Sequence, residues 1–143
     1  MNREIEFRGK RIDNNEWVYG NLIKDFDNRC FIDTRTSYGL EKDIWGVNKL
    51  TLIIYEVIPK TVGQYVGAKD KNGNKIYEDD IVKGDGWDYL YLVVFENCKF
   101  ITKKINNHNW NNFTKSNNDL SDMLYPIRIG NKFDNPELLK EGE

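Results

Sequence analysis

Regular alternation of side chains over residues 89–95 is the feature that most constrains this fold. In YLYLVVF, successive residues point to opposite sides of an extended chain, so both sides carry aromatic or aliphatic groups. A strand that is apolar on two sides is buried on both, and the pattern therefore predicts a central β-strand. Helical periodicity is nearly absent elsewhere, so we expect a mainly β protein of short antiparallel strands.

Further short runs alternate in the same way between polar turns. Ile5 and Phe7 share one side of a first predicted strand, and Gly20 interrupts the next run, which indicates a bulge or a close backbone approach. Pro126 restricts the last strand to a sheet edge or bulge. Asn135-Pro136 has the chemistry that begins a helix, which predicts one short helical turn near the C-terminus.

Length and charge limit the organisation and the partners. The 143 residues suit one continuous domain or two small lobes, for which we predict the bounds 1–60 and 61–143. A net charge of −2 gives no overall cationic field for nucleic acid or an anionic membrane. The sequence shows no signal peptide, and its longest apolar run is far shorter than the roughly 20 residues of a membrane span, so we expect a cytoplasmic protein.

The stretch GQYVGAKDKNGNKIYEDDIVK, residues 63–83, contains the strongest turn signals. Asn72-Gly73 readily supplies the positive φ angles of a two-residue hairpin turn. The adjacent carboxylates of Glu78-Asp79-Asp80 favour a solvated bend, in which we expect Asp80 to accept a backbone hydrogen bond. We therefore interpret this stretch as a folding element that reverses the chain.

Ordered blocks along nearly the whole chain carry a family resemblance. They are Thr61-Val62-Gly63-Gln64-Tyr65, Lys69-Asp70-Lys71-Asn72-Gly73, Ile76-Tyr77-Glu78, Asp80-Ile81-Val82, Val93-Val94-Phe95-Glu96-Asn97, Gly130-Asn131 and Asp134-Asn135-Pro136-Glu137-Leu138-Leu139, and more weakly Phe7-Arg8-Gly9-Lys10 and Trp17-Val18-Tyr19-Gly20. These blocks resemble the YopX family of bacteriophage and prophage proteins. The resemblance implies an SH3-like barrel in the C-terminal half and a bacterial cytoplasmic setting, and it brings no catalytic residues.

Two positions depart from the family pattern, which has glycine where this chain has Asp79 and Cys98. Aspartate tolerates the left-handed region if these positions need positive φ, whereas cysteine there costs about 1 kcal/mol. We therefore expect the turn at Cys98 to take another form.

The acidic group Glu78, Asp79 and Asp80, with Asp85 and Asp88 nearby, is the best candidate for a metal site. A divalent cation needs several oxygen ligands at about 2.1 to 2.5 Å, and neighbouring strand residues point to opposite sides. At most two members of the triplet could converge, so we expect no metal site. A metal-dependent hydrolase using Glu78 and Asp80 stays the third alternative.

No other residues form a recognisable catalytic set. His108 is the single histidine and lies in an asparagine-rich stretch, residues 106–119, which we expect to be a long loop. Cys98 beside Lys99 lacks an identifiable general base. We therefore expect no enzyme activity and no cofactor.

A cationic and aromatic group offers a different function. Lys69, Lys71 and Lys75 surround the predicted hairpin, and Trp87 and Tyr89 follow it, a combination that small barrels use to bind single strands. Carboxylates close to them oppose phosphate, so nucleic-acid binding is the runner-up.

The leading hypothesis is a non-catalytic phage or prophage accessory protein that binds a host or phage protein. Exposed sheet edges would also allow pairing between copies of the chain, although no sequence feature sets a stoichiometry.

Overall fold

The computed structural model describes residues 3–34, 41–42, 48–49, 54–84, 89–105, 118–119 and 126–139. Within these ranges the chain forms antiparallel strands and 3₁₀ turns at Pro59–Thr61 and Pro136–Leu138, which confirms the mainly β class. The strands are β1 Phe7–Lys10, β2 Trp17–Lys24, β3 Cys30–Asp33, β4 Glu41–Lys42, β5 Asn48–Lys49, β6 Ile54–Val57, β7 Gly63–Lys69, β8 Lys75–Tyr77, β9 Asp80–Lys83, β10 Tyr91–Glu96, β11 Lys99–Lys104, β12 Asn118–Asp119 and β13 Ile127–Asn131.

The chain divides into two compact units, residues 1–64 and 65–143. Strand β7 contains the division. Its first residues, Gly63 and Gln64, pair with β1, whereas Tyr65 and Lys69 pair with β8.

Strands of the first unit pair in the order β6-β3-β2-β1. An antiparallel bridge between Arg11 and Val57 joins the end of β1 back to β6, and the Ile58 amide donates to the Lys10 carbonyl at 2.8 Å beside it. These four strands therefore close into a ring of pairings. The start of β7 adds to β1 outside that ring.

The core of the first unit lies inside this ring. Cys30, Ile32 and Val57 are buried there, and Phe7, Val18, Leu22 and Val62 pack against them. Gly9 leaves room for Val57, since a Cβ at Gly9 would lie 2.9 Å from the Val57 Cβ. The close approach predicted at Gly20 is confirmed, because a Cβ there would overlap the carbonyl oxygen of Asp33. Ile5 was wrongly placed in the first strand, since pairing with β2 begins only at Phe7.

The second unit contains a five-stranded sheet in the order β12-β11-β10-β9-β13. Tyr91, Leu92 and Val93 are all buried, which confirms a central strand with two apolar sides. The prediction is wrong at Phe95, which is 55% exposed. Strand β9 pairs only with Tyr91 and Leu92, so the later part of β10 extends beyond it.

Two apolar clusters lie on the two sides of this sheet. Residues from β8, β9 and β10 form one of them, namely Ile76, Val82, Tyr91 and Val93, with Val66 packed against it. The other joins Ile81, Leu92 and Ile105, and Leu138 and Leu139 pack against it from the C-terminal 3₁₀ turn. The predicted docking of that turn is therefore confirmed.

The ends of the chain segments show how the edges are formed. Strand β13 starts directly after Pro126 and, in the described part of the chain, pairs with β9 alone, which confirms the edge position. Asn118 and Asp119 form β12 where a loop was expected, while residues 106–117 lie outside the described ranges. Closure of this second unit into an SH3-like barrel stays a prediction.

Candidate interaction surfaces

The lysine hairpin, defined as Lys69, Lys71 and Lys75, is the cationic surface predicted from the sequence. Lys69 ends β7, Lys75 begins β8, and the two are register partners. Lys71 is exposed in the connecting loop. Like charges that face each other across two strands destabilise the pair, so this hairpin concentrates positive charge at a cost in stability.

The loop of this hairpin differs from the predicted two-residue turn. The Asp70 amide donates to the Asn74 carbonyl at 2.7 Å, and the Gly73 amide donates to the Asp70 carbonyl at 3.0 Å. The loop therefore has three residues, Lys71, Asn72 and Gly73. Only Gly73 of these three has a positive φ, at 85°, as expected where a turn is followed by a left-handed residue.

The carboxylate of Asp70 explains this longer loop. Its Oδ1 accepts hydrogen bonds from the amides of Asn72 at 2.9 Å and Asn74 at 2.8 Å. Its Oδ2 accepts from the Arg128 amide at 3.1 Å and from Asn74 Nδ2 at 3.2 Å. Burial raises the pKa of Asp70, but these hydrogen bonds from Asn74, Arg128 and Asn72 outweigh it and hold the pKa below its ordinary value.

Tyr89 is 55% exposed just before β10. The ammonium of Lys104 lies 3.5 Å from the centre of its ring, a close cation–π contact. Sequence reasoning missed Lys104, because its proximity to Tyr89 depends on the β10–β11 register, which pairs Tyr91 with Lys104. Trp87, the other predicted aromatic, lies outside the described residues.

The acidic triplet folds as a connection between β8 and β9. Asp80 Oδ2 accepts a hydrogen bond from the Tyr77 amide at 2.8 Å, as predicted, but Asp80 is fully buried and the bend is not solvated there. Among the described residues, no three His, Cys, Asp or Glu side chains are placed to hold a metal ion. Asp85, Asp88 and His108 lie outside them.

Cys98 keeps the backbone form that glycine would favour. Asn97 and Cys98 connect β10 and β11 with φ angles of 52° and 63°, so the expectation of another turn form is wrong. Six register pairs of β10 with β11 lead up to this turn and fix it as a two-residue connection. Beside it, the rings of Phe95 and Phe100 meet edge to face, with centres 5.0 Å apart.

A second exposed surface, in the first unit, was missed by sequence reasoning. Phe26 is fully exposed, and Tyr19 and Ile23 of β2 are 42% and 41% exposed. The predicted turn at Asp27-Asn28 was the available signal, because a bulky aromatic ring beside a polar turn has few neighbours to cover it.

Together these features define a small antiparallel β protein that presents cationic and aromatic side chains on its hairpins and turns. The family model described as YopX protein matches residues 6–140. The chain belongs to the YopX family.

A similar fold occurs in protein EF1440 from Enterococcus faecalis, whose crystal structure matches with a TM-score of 0.55 and 21% sequence identity. The match covers 96% of this chain and 99% of that one. No curated protein matches. No helix in the described residues is long and apolar enough to cross a membrane.

Proposed function

We propose that this YopX-family protein is a non-catalytic accessory protein that binds another protein. One observation carries this proposal: aromatic rings on ordered turns and strands are exposed to solvent. Phe26 is fully exposed, and Tyr89 and Phe95 are each 55% exposed. Exposed aromatic side chains mark interaction surfaces, because they bury much area with little loss of conformational entropy.

The setting of this function follows from the resemblance to phage and prophage proteins. We place the protein in a bacterial cytoplasm, where its partner is a host or phage protein. Binding through exposed side chains needs neither a cofactor nor a metal ion.

Affinity capture tests the proposal. The full chain is immobilised and exposed to bacterial lysate in two parallel arms, with and without nuclease, and bound proteins are identified by mass spectrometry. A stoichiometric protein that survives nuclease treatment supports protein binding. Capture that disappears with nuclease, or an empty column in both arms, contradicts it.

Nucleic-acid binding is the second candidate, and the register pairing of Lys69 with Lys75 favours it. The carboxylate nearest to them, that of Asp70, is 6% exposed and hydrogen-bonded internally, so it opposes phosphate less than the sequence suggests. A labelled single-stranded oligonucleotide at low salt provides the test. Replacing Lys69, Lys71 and Lys75 by glutamine should weaken a mobility shift and flatten its salt dependence by about 0.7 per lost phosphate contact. Lys24→Gln in the first unit is the control, and absence of a low-salt shift eliminates this candidate.

A further inference from the structure

One side of the first-unit sheet carries exposed apolar groups in place of the usual polar ones. Ile32 and Val57 point into the core, and strand alternation therefore directs their neighbours Phe31 and Ile54 to the other side. The register places Ile23 opposite Phe31. Ile23 and Ile54 are 41% and 36% exposed.

These residues form one continuous surface, which we name the outward face. It comprises Tyr19 and Ile23 of β2, Phe31 of β3 and Ile54 of β6. Asn21, Asp33 and Ile54 are register neighbours across the three strands, so the face is not divided by an intervening element. An apolar surface of this kind is typical of a protein interaction site.

Phe26 lies in the turn that connects β2 to β3 and therefore extends the outward face at one end. The turn is held by the carboxylate of Asp25, whose Oδ1 accepts from the amides of Asp27 and Arg29, both at 2.9 Å. Its Oδ2 accepts from Arg29 Nε at 2.6 Å. Asn28 completes the reversal with a φ of 62°. Because the turn is already ordered, little conformational entropy is lost when a partner covers Phe26.

Carboxylates border this surface. Asp25 and Asp27 flank Phe26, and Glu56 is the register partner of Phe31. The cation at this end of the face, Arg29, is already paired with Asp25. Its guanidinium also lies 5.7 Å from the Phe31 ring centre. The border is therefore net acidic, which disfavours phosphate backbones and anionic lipid and complements a basic protein surface.

We propose that the outward face and Phe26 bind a partner protein that offers an apolar pocket bordered by lysine or arginine side chains. This inference rests on the proposed protein-binding function and gives it a location and a partner chemistry. Phe26 enters the pocket, Ile23 and Phe31 cover its edge, and Asp27 and Glu56 meet the cationic border. Centrally buried aromatic anchors contribute most of the affinity of such contacts.

The test uses the protein identified by nuclease-resistant capture, purified and titrated against the full chain by calorimetry. Phe26→Ser should weaken binding about 30-fold or more, as expected for a central aromatic anchor. Ile23→Ser should weaken it less, and Asp27→Lys should weaken it most at low salt. Asp25→Ala keeps Phe26 but releases the turn, so a several-fold loss is expected.

Phe95→Ser is the matched control, since it removes an exposed phenylalanine from the second unit. Urea denaturation of every variant checks folding. A benzophenone side chain at position 23 provides a second readout, and it should crosslink to the partner beside apolar residues.

The outcomes separate this inference from the broader function. Unchanged affinity in Phe26→Ser and Ile23→Ser, or loss only in Phe95→Ser, overturns the inference and leaves protein binding intact. Crosslinking to a second copy of this chain, or to an acidic partner, also overturns it. Absence of any nuclease-resistant partner overturns both proposals.

Discussion

Asp70 is joined to Arg128 by a hydrogen bond from the Arg128 amide to Asp70 Oδ2 at 3.1 Å, across 58 positions of the sequence. The guanidinium of Arg128 also donates to the Lys75 carbonyl at 3.2 Å. The Lys71 amide donates to the Pro126 carbonyl at 2.8 Å. The lysine hairpin is therefore attached to the beginning of β13, and one buried carboxylate orders both.

Replacing Asp70 by asparagine should destabilise the protein by about 2 to 3 kcal/mol. An amide side chain has one acceptor oxygen, so its NH₂ group would face the donors on Asn74 or Arg128. Urea denaturation at neutral pH measures the change. Asp27→Asn, at an exposed position, is the control and should alter stability by less than about 0.5 kcal/mol. Equal stability of the two variants would contradict the role assigned to Asp70.

Acid should weaken the fold partly through the same carboxylate. The pKa of Asp70 lies below its ordinary value of 3.8 in the folded chain. A lowered folded pKa adds stability above the unfolded value, and this stability is lost as the pH falls through the folded pKa.

The expected result is a drop in the free energy of unfolding below about pH 4. It is smaller in Asp70→Asn, which has no proton to gain there. Thermal denaturation between pH 7 and pH 2.5 compares the two proteins, and parallel profiles would refute the assignment.

Cys98→Gly should stabilise the protein by about 1 kcal/mol. Cys98 has a φ of 63°, a conformation that costs a Cβ-bearing residue energy and glycine very little. The greater freedom of glycine in the unfolded chain offsets part of the gain. Cys98→Ala retains the strain and should leave stability unchanged under reducing conditions. A destabilised glycine variant would show that the turn is not strained.

Gly9→Ala should destabilise the first unit by about 1 to 3 kcal/mol, because the added methyl group would lie 2.8 Å from Val57 Cγ2. Val57→Ala removes the obstructing methyl groups and creates a cavity of its own. The double variant should therefore be more stable than the sum of the single effects predicts. A double-mutant cycle by urea denaturation measures this coupling, and strict additivity would mean that Gly9 does not accommodate Val57.

Local signals in the sequence predicted the features that depend on near neighbours. Alternation identified the buried start of β10, Asn135-Pro136 identified the last 3₁₀ turn, and Pro126 marked an edge strand. Gly20 was correctly read as a close approach, although its neighbour Asp33 could not be named. Each depends on backbone preferences within a few residues, so the sequence contains the required information.

The candidate surfaces were predictable only in part. The lysines were found because they flank one turn, but Lys104 beside Tyr89 required the β10–β11 register. The same pattern that correctly buried Val93 wrongly buried Phe95, because alternation assigns a side and does not tell how far the neighbouring strand extends.

The sequence by itself determined that this is a mainly β protein of the YopX family, and it located the turns between several of its strands. The tertiary structure decided that Arg11 meets Val57 to close the first sheet, that Asp70 holds Arg128, and that Phe26 remains uncovered. The reason is physical: strand order, register and exposure arise from contacts between residues far apart in the chain, and side-chain patterns within one strand do not specify its partner.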